Sequence, residues 1–111
     1  MSKHLYKNVE YFNEVVSADT STMAIDCQMM DTASFVMSFP IGFTCDLSIE
    51  GSIDGSTFVD IGVVLEAVDG VAAATRFANV FQYALSKIRV TMSNVTGSGQ
   101  VVITAQAKGF S

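Results

Sequence analysis

Four carboxylates fall between residues 46 and 60, in the stretch D-L-S-I-E-G-S-I-D-G-S-T-F-V-D. Three of them, Glu50, Asp54 and Asp60, sit beside or near glycines, as the oxygens of an ion loop or an active-site corner would. Carboxylates hold calcium when a short loop delivers them at alternating positions, but the D-x-[DN]-x-[DN]-G spacing that does this is absent. Asp54-Gly55 has a backbone reason to be there, because a tight turn between two strands wants residues that tolerate positive φ. The stretch therefore reads as a hairpin whose turn is defined by Asp54 and Gly55, with Asn as acceptable as Asp at position 54.

The remaining chemistry is sparse. His4 is the sole histidine and lies near a terminus, so no Ser-His-Asp or Cys-His pair can be built around it in a fixed site. The chain has no G-x-S-x-G, no G-x-x-x-x-G-K and no H-E-x-x-H. Asp26, Asp31, Asp46, Asp54, Asp60 and Asp69 are scattered, and no local pattern makes two of them a glycoside-cleaving pair. Cys27 and Cys45 are too few and too loosely spaced for a disulfide framework or a zinc site, and each falls in the apolar phase of a strand pattern. Buried free thiols are expected. Asn94-Val95-Thr96 matches the N-glycosylation triplet but reads as a polar strand end before a Gly-Ser-Gly turn. No catalytic residue, metal or cofactor is assigned, and the chain is not expected to be an enzyme.

The elements that would position such residues follow from composition and periodicity. A chain of 111 residues, half of them apolar, has the size of one domain, residues 1–111, with one core. That apolar share is high, and implies that some of the surface is covered by a partner or by copies of the chain. A net charge of −5 with six unclustered Lys and Arg argues against nucleic acid. No run of apolar residues is long enough for a membrane span, and the polar start M-S-K-H-L-Y-K lacks a secretory pattern, so synthesis and retention in the cytosol are expected.

Period-two alternation dominates. Phe43, Cys45, Leu47 and Ile49 alternate with Thr44, Asp46, Ser48 and Glu50; Ile88, Val90 and Met92 with Arg89, Thr91 and Ser93. Val101, Ile103, Ala105 and Ala107 form another dry set, as do Phe35, Met37 and Phe39, and Met23, Ile25, Cys27 and Met29. T-R-F-A-N-V predicts a short strand, and E-A-V-D-G-V-A-A-A-T a soft connection. Asp69-Gly70 and the Gly97-Ser98-Gly99 turn, defined by Gly97 and Gly99, punctuate the strands. Seven or eight short strands predict an all-β fold, an antiparallel β-sandwich of jelly-roll type.

Three segments, A-I-D-C-Q-M-M-D-T-A-S-F-V-M-S-F, C-D-L-S-I-E-G-S-I-D-G-S-T-F-V-D-I-G and F-Q-Y-A-L-S-K-I-R-V-T-M-S-N-V-T-G-S-G-Q-V-V-I-T-A-Q-A, resemble a widespread group of small tailed-bacteriophage virion proteins. Their shared pattern is filled here by Ala24, Ile25 and Asp26, then Ser52, Asp54, Gly55 and Phe58, then Tyr83, Lys87, Arg89 and Val90, and last Gly97 and Gly99. The likeness covers nearly the whole chain after residue 15. It implies a non-enzymatic virion structural protein that decorates or cements the capsid, with copies of itself and other virion proteins, above all the major capsid protein, as partners. Its place would be the virion, assembled in the host cytoplasm. A neck, tail or baseplate position is the alternative. A glycan-binding host-recognition module is a third reading, disfavoured because the chain has no tryptophan to form a sugar platform.

Residues 1–16 are ambiguous between helical and strand spacing, and in an all-β chain an extended N-terminal arm or edge strand is expected. Leu5, Tyr6, Val9, Tyr11 and Phe12 are the candidate interface of such an arm with a neighbouring subunit or the shell. Membership of the chain's own sheet, as its first strand, stands beside that reading.

Overall fold

The computed structural model describes residues 4–22, 24–26, 32–81 and 85–110, with the side chains of 12–22, 24–26, 32–80 and 85–107. Met23, Cys27, Met29, Asp31 and Tyr83, singled out above, lie outside the described residues, as do the side chains of His4, Leu5, Tyr6, Val9 and Tyr11. Ten strands form among those described: β1 (His4–Val16), β2 (Thr20–Ser21), β3 (Ile25–Asp26), β4 (Thr32–Phe39), β5 (Thr44–Ser52), β6 (Val59–Asp60), β7 (Val68–Asp69), β8 (Ala74–Phe81), β9 (Lys87–Thr96) and β10 (Gly99–Phe110). One sheet runs β1-β10-β4-β8. The other runs β2-β9-β5-β6, with β3 also on β9 and β7 also on β5.

Every pairing is antiparallel. Counting β2 with β3, and β6 with β7, since each pair shares one neighbour, leaves an order of 1-8-3-6 in one sheet and 2-7-4-5 in the other. That is the jelly-roll order, in which the chain passes back and forth between two packed sheets. The predicted all-β sandwich is what forms.

Alternation makes the core. Ala33, Phe35, Met37 and Phe39 of β4, and Val101, Ile103, Ala105 and Ala107 of β10, point inward. They meet Cys45, Leu47 and Ile49 of β5 and Ile88, Val90 and Met92 of β9 from the other sheet. Each buried Val, Leu, Ile, Phe or Met among them stabilises the fold by about 1.5–3 kcal/mol. Register fits large against small: Phe35 lies between Ala105 on β10 and Ala78 on β8, so two alanines make room for the ring. The Phe39 and Phe43 rings stack, with centroids 5.9 Å apart. Cys45 is a buried free thiol, as expected.

Two expectations change, and the alternatives left open for the N-terminal segment are decided in favour of the edge strand. Residues 4–16 are neither helical nor detached: β1 pairs with β10 along its length, interrupted by a bulge between Val9 and Phe12, and is an edge strand of its own sheet. Phe12 is half-buried against the core. The short strand expected at T-R-F-A-N-V extends from Ala74 to Phe81, because it pairs with β4 over that whole span. Asp54-Gly55 is not a two-residue hairpin. The last β5–β6 pair is Gly51 with Val59, and residues 53–58 form a wider loop.

One end of the sandwich is tied by turns. The Gly42 N–H donates to the Gly70 carbonyl at 2.9 Å. Gly97 has φ +77°, and a Cβ there would collide with the Gly42 carbonyl oxygen, while one on Gly99 would enter the Pro40 ring. On the side where β8 faces the β6–β7 connection, Arg76 spans the two sheets. Its Nε donates to the Glu66 carbonyl at 3.0 Å and its Nη2 to the Ala67 carbonyl at 2.9 Å.

Candidate functional site

The carboxylates that the sequence offered for chemistry divide by what holds them. Asp54 lies at the far end of the sandwich from Gly97, in the loop after β5. Its Oδ1 accepts the N–H groups of Ser56 and Thr57, both at 2.8 Å, and the Ser52 hydroxyl at 2.9 Å. Ser52 is buried, and its Oγ in turn accepts the Gly55 N–H at 2.9 Å. Gly55 itself has φ +84°, which lets the chain turn back under the carboxylate. Backbone N–H bonds, first from Thr57 and then Ser56, hold the Asp54 carboxyl far below the usual carboxylate range. An acid so easily ionised is a weak general base and no proton donor at neutral pH.

Asp60 and Asp69 repeat the device on a smaller scale, accepting the N–H of Gly62 at 2.8 Å and of Val71 at 3.1 Å. Asp19 accepts the Val95 N–H at 2.9 Å and fastens the β1–β2 connection to β9. Asp46 accepts the Asn94 amide at 2.7 Å, and Asn94 has φ +52° where the β5–β9 ladder shifts register. The glycosylation triplet is thus a strand irregularity. Asp26 stands opposite Lys87 in the β3–β9 ladder.

The ladder does bring two carboxylates face to face. Glu50 of β5 is paired with Asp60 of β6 on one side and with Arg89 of β9 on the other. Glu50 Oε1 accepts Arg89 Nε at 2.9 Å and the Thr91 hydroxyl at 2.9 Å. Arg89 also lies over the Phe58 ring, 4.1 Å from its centroid. This makes a row of charges across three strands, anchored by an aromatic from the loop. No sequence spacing announces it, since its members come from positions 50, 58, 60, 89 and 91 and meet only through strand pairing. Among the described residues no three His, Cys, Asp or Glu side chains converge as metal ligands.

Beside the loop lies a cavity of about 420 Å³ walled by Gly51, Ile53, Val59, Ile61 and Leu85, with Asp54 and Thr57 as its polar members. Gly51 belongs there for packing, because a Cβ would press on Leu85 Cδ1 at 2.8 Å and Ile61 Cγ2 at 2.9 Å. Of the turn-defining residues expected from sequence, Asp54 and Gly55 meet here, and Gly97 and Gly99 meet at the other end. Gly55 and Gly97 take positive φ, Asp54 accepts backbone N–H groups, and Gly99 leaves no room for a Cβ beside Pro40. What the surface can do is present shape and apolar contact: Ile41, Ile53, Val59, Val64 and Val71 are largely exposed.

No protein-family model matches the chain. No curated protein matches it in sequence. Its fold is similar to that in the crystal structure of the SPBc2 prophage-derived protein YomS, with a TM-score of 0.69 over 98% of this chain and 96% of that one, at 8% sequence identity.

Proposed function

We propose that this chain is a non-enzymatic structural component of a bacteriophage virion that decorates or cements the capsid shell. The observation that carries the reading is the shared fold: the same sandwich, over 98% of the chain, occurs in a prophage-derived protein. The sequence resemblance to small virion proteins points the same way. Asp19, Asp46, Glu50, Asp54, Asp60 and Asp69 support it, their carboxylates being engaged in turns and cross-strand contacts. A cementing role asks for a rigid body that repeats many modest contacts, and multivalent attachment multiplies weak contacts into firm binding. The exposed Ile53, Val59 and Val64 supply apolar contact of that kind, and the major capsid protein is the partner they would meet. Assembly would take place in the host cytoplasm.

The test is to image particles made from the genome that encodes this chain, carrying an epitope-tagged copy labelled with antibody fragments. Label distributed over the shell is the expected result. Label confined to one vertex or to the tail would move the protein to the neck, tail or baseplate. Absence of the protein from purified particles would overturn the virion reading.

A further inference from the structure

The four sheet edges differ in charge. Glu10 and Glu14 lie in β1, Asp26 in β3 with Asp19 just before β2, and Asp60 and Asp69 in β6 and β7. β8 has none, and residues 70–111 contain no Asp or Glu at all. The single charge in β8, Arg76, is turned back on the chain, its guanidinium bonded to the carbonyls of Glu66, Ala67 and Thr75. β8 is also long for an edge, eight residues without proline. One side of it pairs with β4, and among the described residues no backbone hydrogen bond is made along the other. Its outer-face side chain Phe77 is 58% exposed, next to Val36 at 44% on β4.

Sheet edges are usually guarded by outward charge, proline or a bulge, because unpaired N–H and C=O groups recruit another strand. β8 has none of these guards. We propose that it is a self-association edge, where β8 of one copy pairs antiparallel with β8 of a second copy and joins two four-stranded sheets into one of eight. The second copy is favoured as occupant by charge. In a chain of net charge −5, copies repel, and β8 is the edge strand that itself carries no acid, so pairing β8 with β8 sets no acid against acid within the strand pair. A two-fold axis perpendicular to the sheet at Phe77 sets that ring beside its counterpart, Thr75 opposite Asn79 and Arg76 opposite Ala78, with no like charges facing. Aromatic burial at the centre and main-chain bonds along the strand then hold the pair.

The inference concerns the isolated protein and does not rest on the virion reading. Light scattering on the purified chain should give twice the monomer mass of 11.9 kDa. Phe77→Asp, at an exposed position, should halve that mass while leaving the circular dichroism spectrum and unfolding midpoint of the monomer in place. Phe77→Cys should form a disulfide-linked dimer under mild oxidation, because directly opposed residues in an antiparallel pair bring their Cα atoms to about 4.5–5.5 Å. Val15→Cys, exposed on the opposite edge, should not. A wild-type chain that stays monomeric at millimolar concentration, or a dimer indifferent to Phe77→Asp, would overturn the proposal.

Discussion

Glu50 and Arg89 face one another across β5 and β9, with a single carboxylate oxygen holding both Nε at 2.9 Å and Nη2 at 2.8 Å. The side chains are 20% and 31% exposed, so water screens the pair in part. An ion pair of that kind is worth about 0.3–1 kcal/mol, and the Phe58 ring adds about 0.5–1 kcal/mol through cation–π attraction. Arg89→Ala should therefore cost about 1–2 kcal/mol in urea denaturation. Arg89→Lys should recover only part, since an ammonium cannot stack flat on the ring while bonding the carboxylate. Coupling energies near zero in double-mutant cycles with both Glu50→Gln and Phe58→Leu would refute this.

Asp54 makes stability depend on acidity in a predictable direction. Its carboxyl has an ordinary value of 3.8 and a folded value well below it, so the carboxylate's contribution is fully present above the ordinary value. It is lost as the pH falls through the folded value. Asp54→Asn, which keeps one acceptor oxygen for Ser56 and Thr57, should show a small deficit that is constant at neutral pH and shrinks on acidification below about pH 4. Asp54→Ala removes the acceptor altogether and should unfold at a lower temperature than Asp54→Asn across the whole range. A deficit that grows on acidification would contradict the assignment.

Gly55 and Gly97 have nearly the same φ, +84° and +77°, but different surroundings. A Cβ on Gly55 meets nothing closer than Ser86 Oγ at 3.7 Å, whereas one on Gly97 runs into the Gly42 carbonyl. Gly55→Val should cost on the order of 1–3 kcal/mol, from backbone strain. Gly97→Ala should cost more than Gly55→Ala, since collision adds to strain. Equal midpoints for the two alanine variants would mean that the turn at Gly97 relaxes freely.

Burial pushes the Cys45 thiol up to about 11, with the Asp46 charge adding to the effect and Arg76 opposing it. At neutral pH the group is a thiol and a poor nucleophile. Alkylation at Cys45, followed by peptide mass spectrometry, should proceed only as fast as the protein unfolds. Modification at the rate of an exposed cysteine in the native state would show the site to be open.

Much of this fold was legible in the sequence because β-sandwich cores write themselves as alternation. Cys45, Leu47 and Ile49, or Val101, Ile103, Ala105 and Ala107, are inward because every second residue of a strand shares a face. The wider loop at residues 53–58 was not legible, since Asp-Gly suits several turns and the choice was made by Ser52 Oγ and Asp54 Oδ1, which supply bonds a tight hairpin would not need. The N-terminal strand was ambiguous because Leu5, Val9, Phe12 and Val16 fit helical spacing, and pairing with β10, some ninety residues away, decided it. The Glu50–Arg89–Phe58 cluster left no local trace for the same reason: its members are neighbours only through register.

The order of strands in the β1–β10–β4–β8 sheet differs from the order in which a ribosome makes them. β10, synthesised last of the ten, lies between β1, synthesised first, and β4. Until it emerges, a nascent chain holds the inner faces of β1 and β4 with a gap one strand wide between them. No early fragment can close that sheet, and the apolar sets of β4, β5 and β9 stay open to other chains meanwhile. Folding waits for the whole chain and then proceeds through distant pairings, which makes it slow for its size. Slow translation near the end, or a stop codon within β10, should yield aggregates in place of a shortened domain.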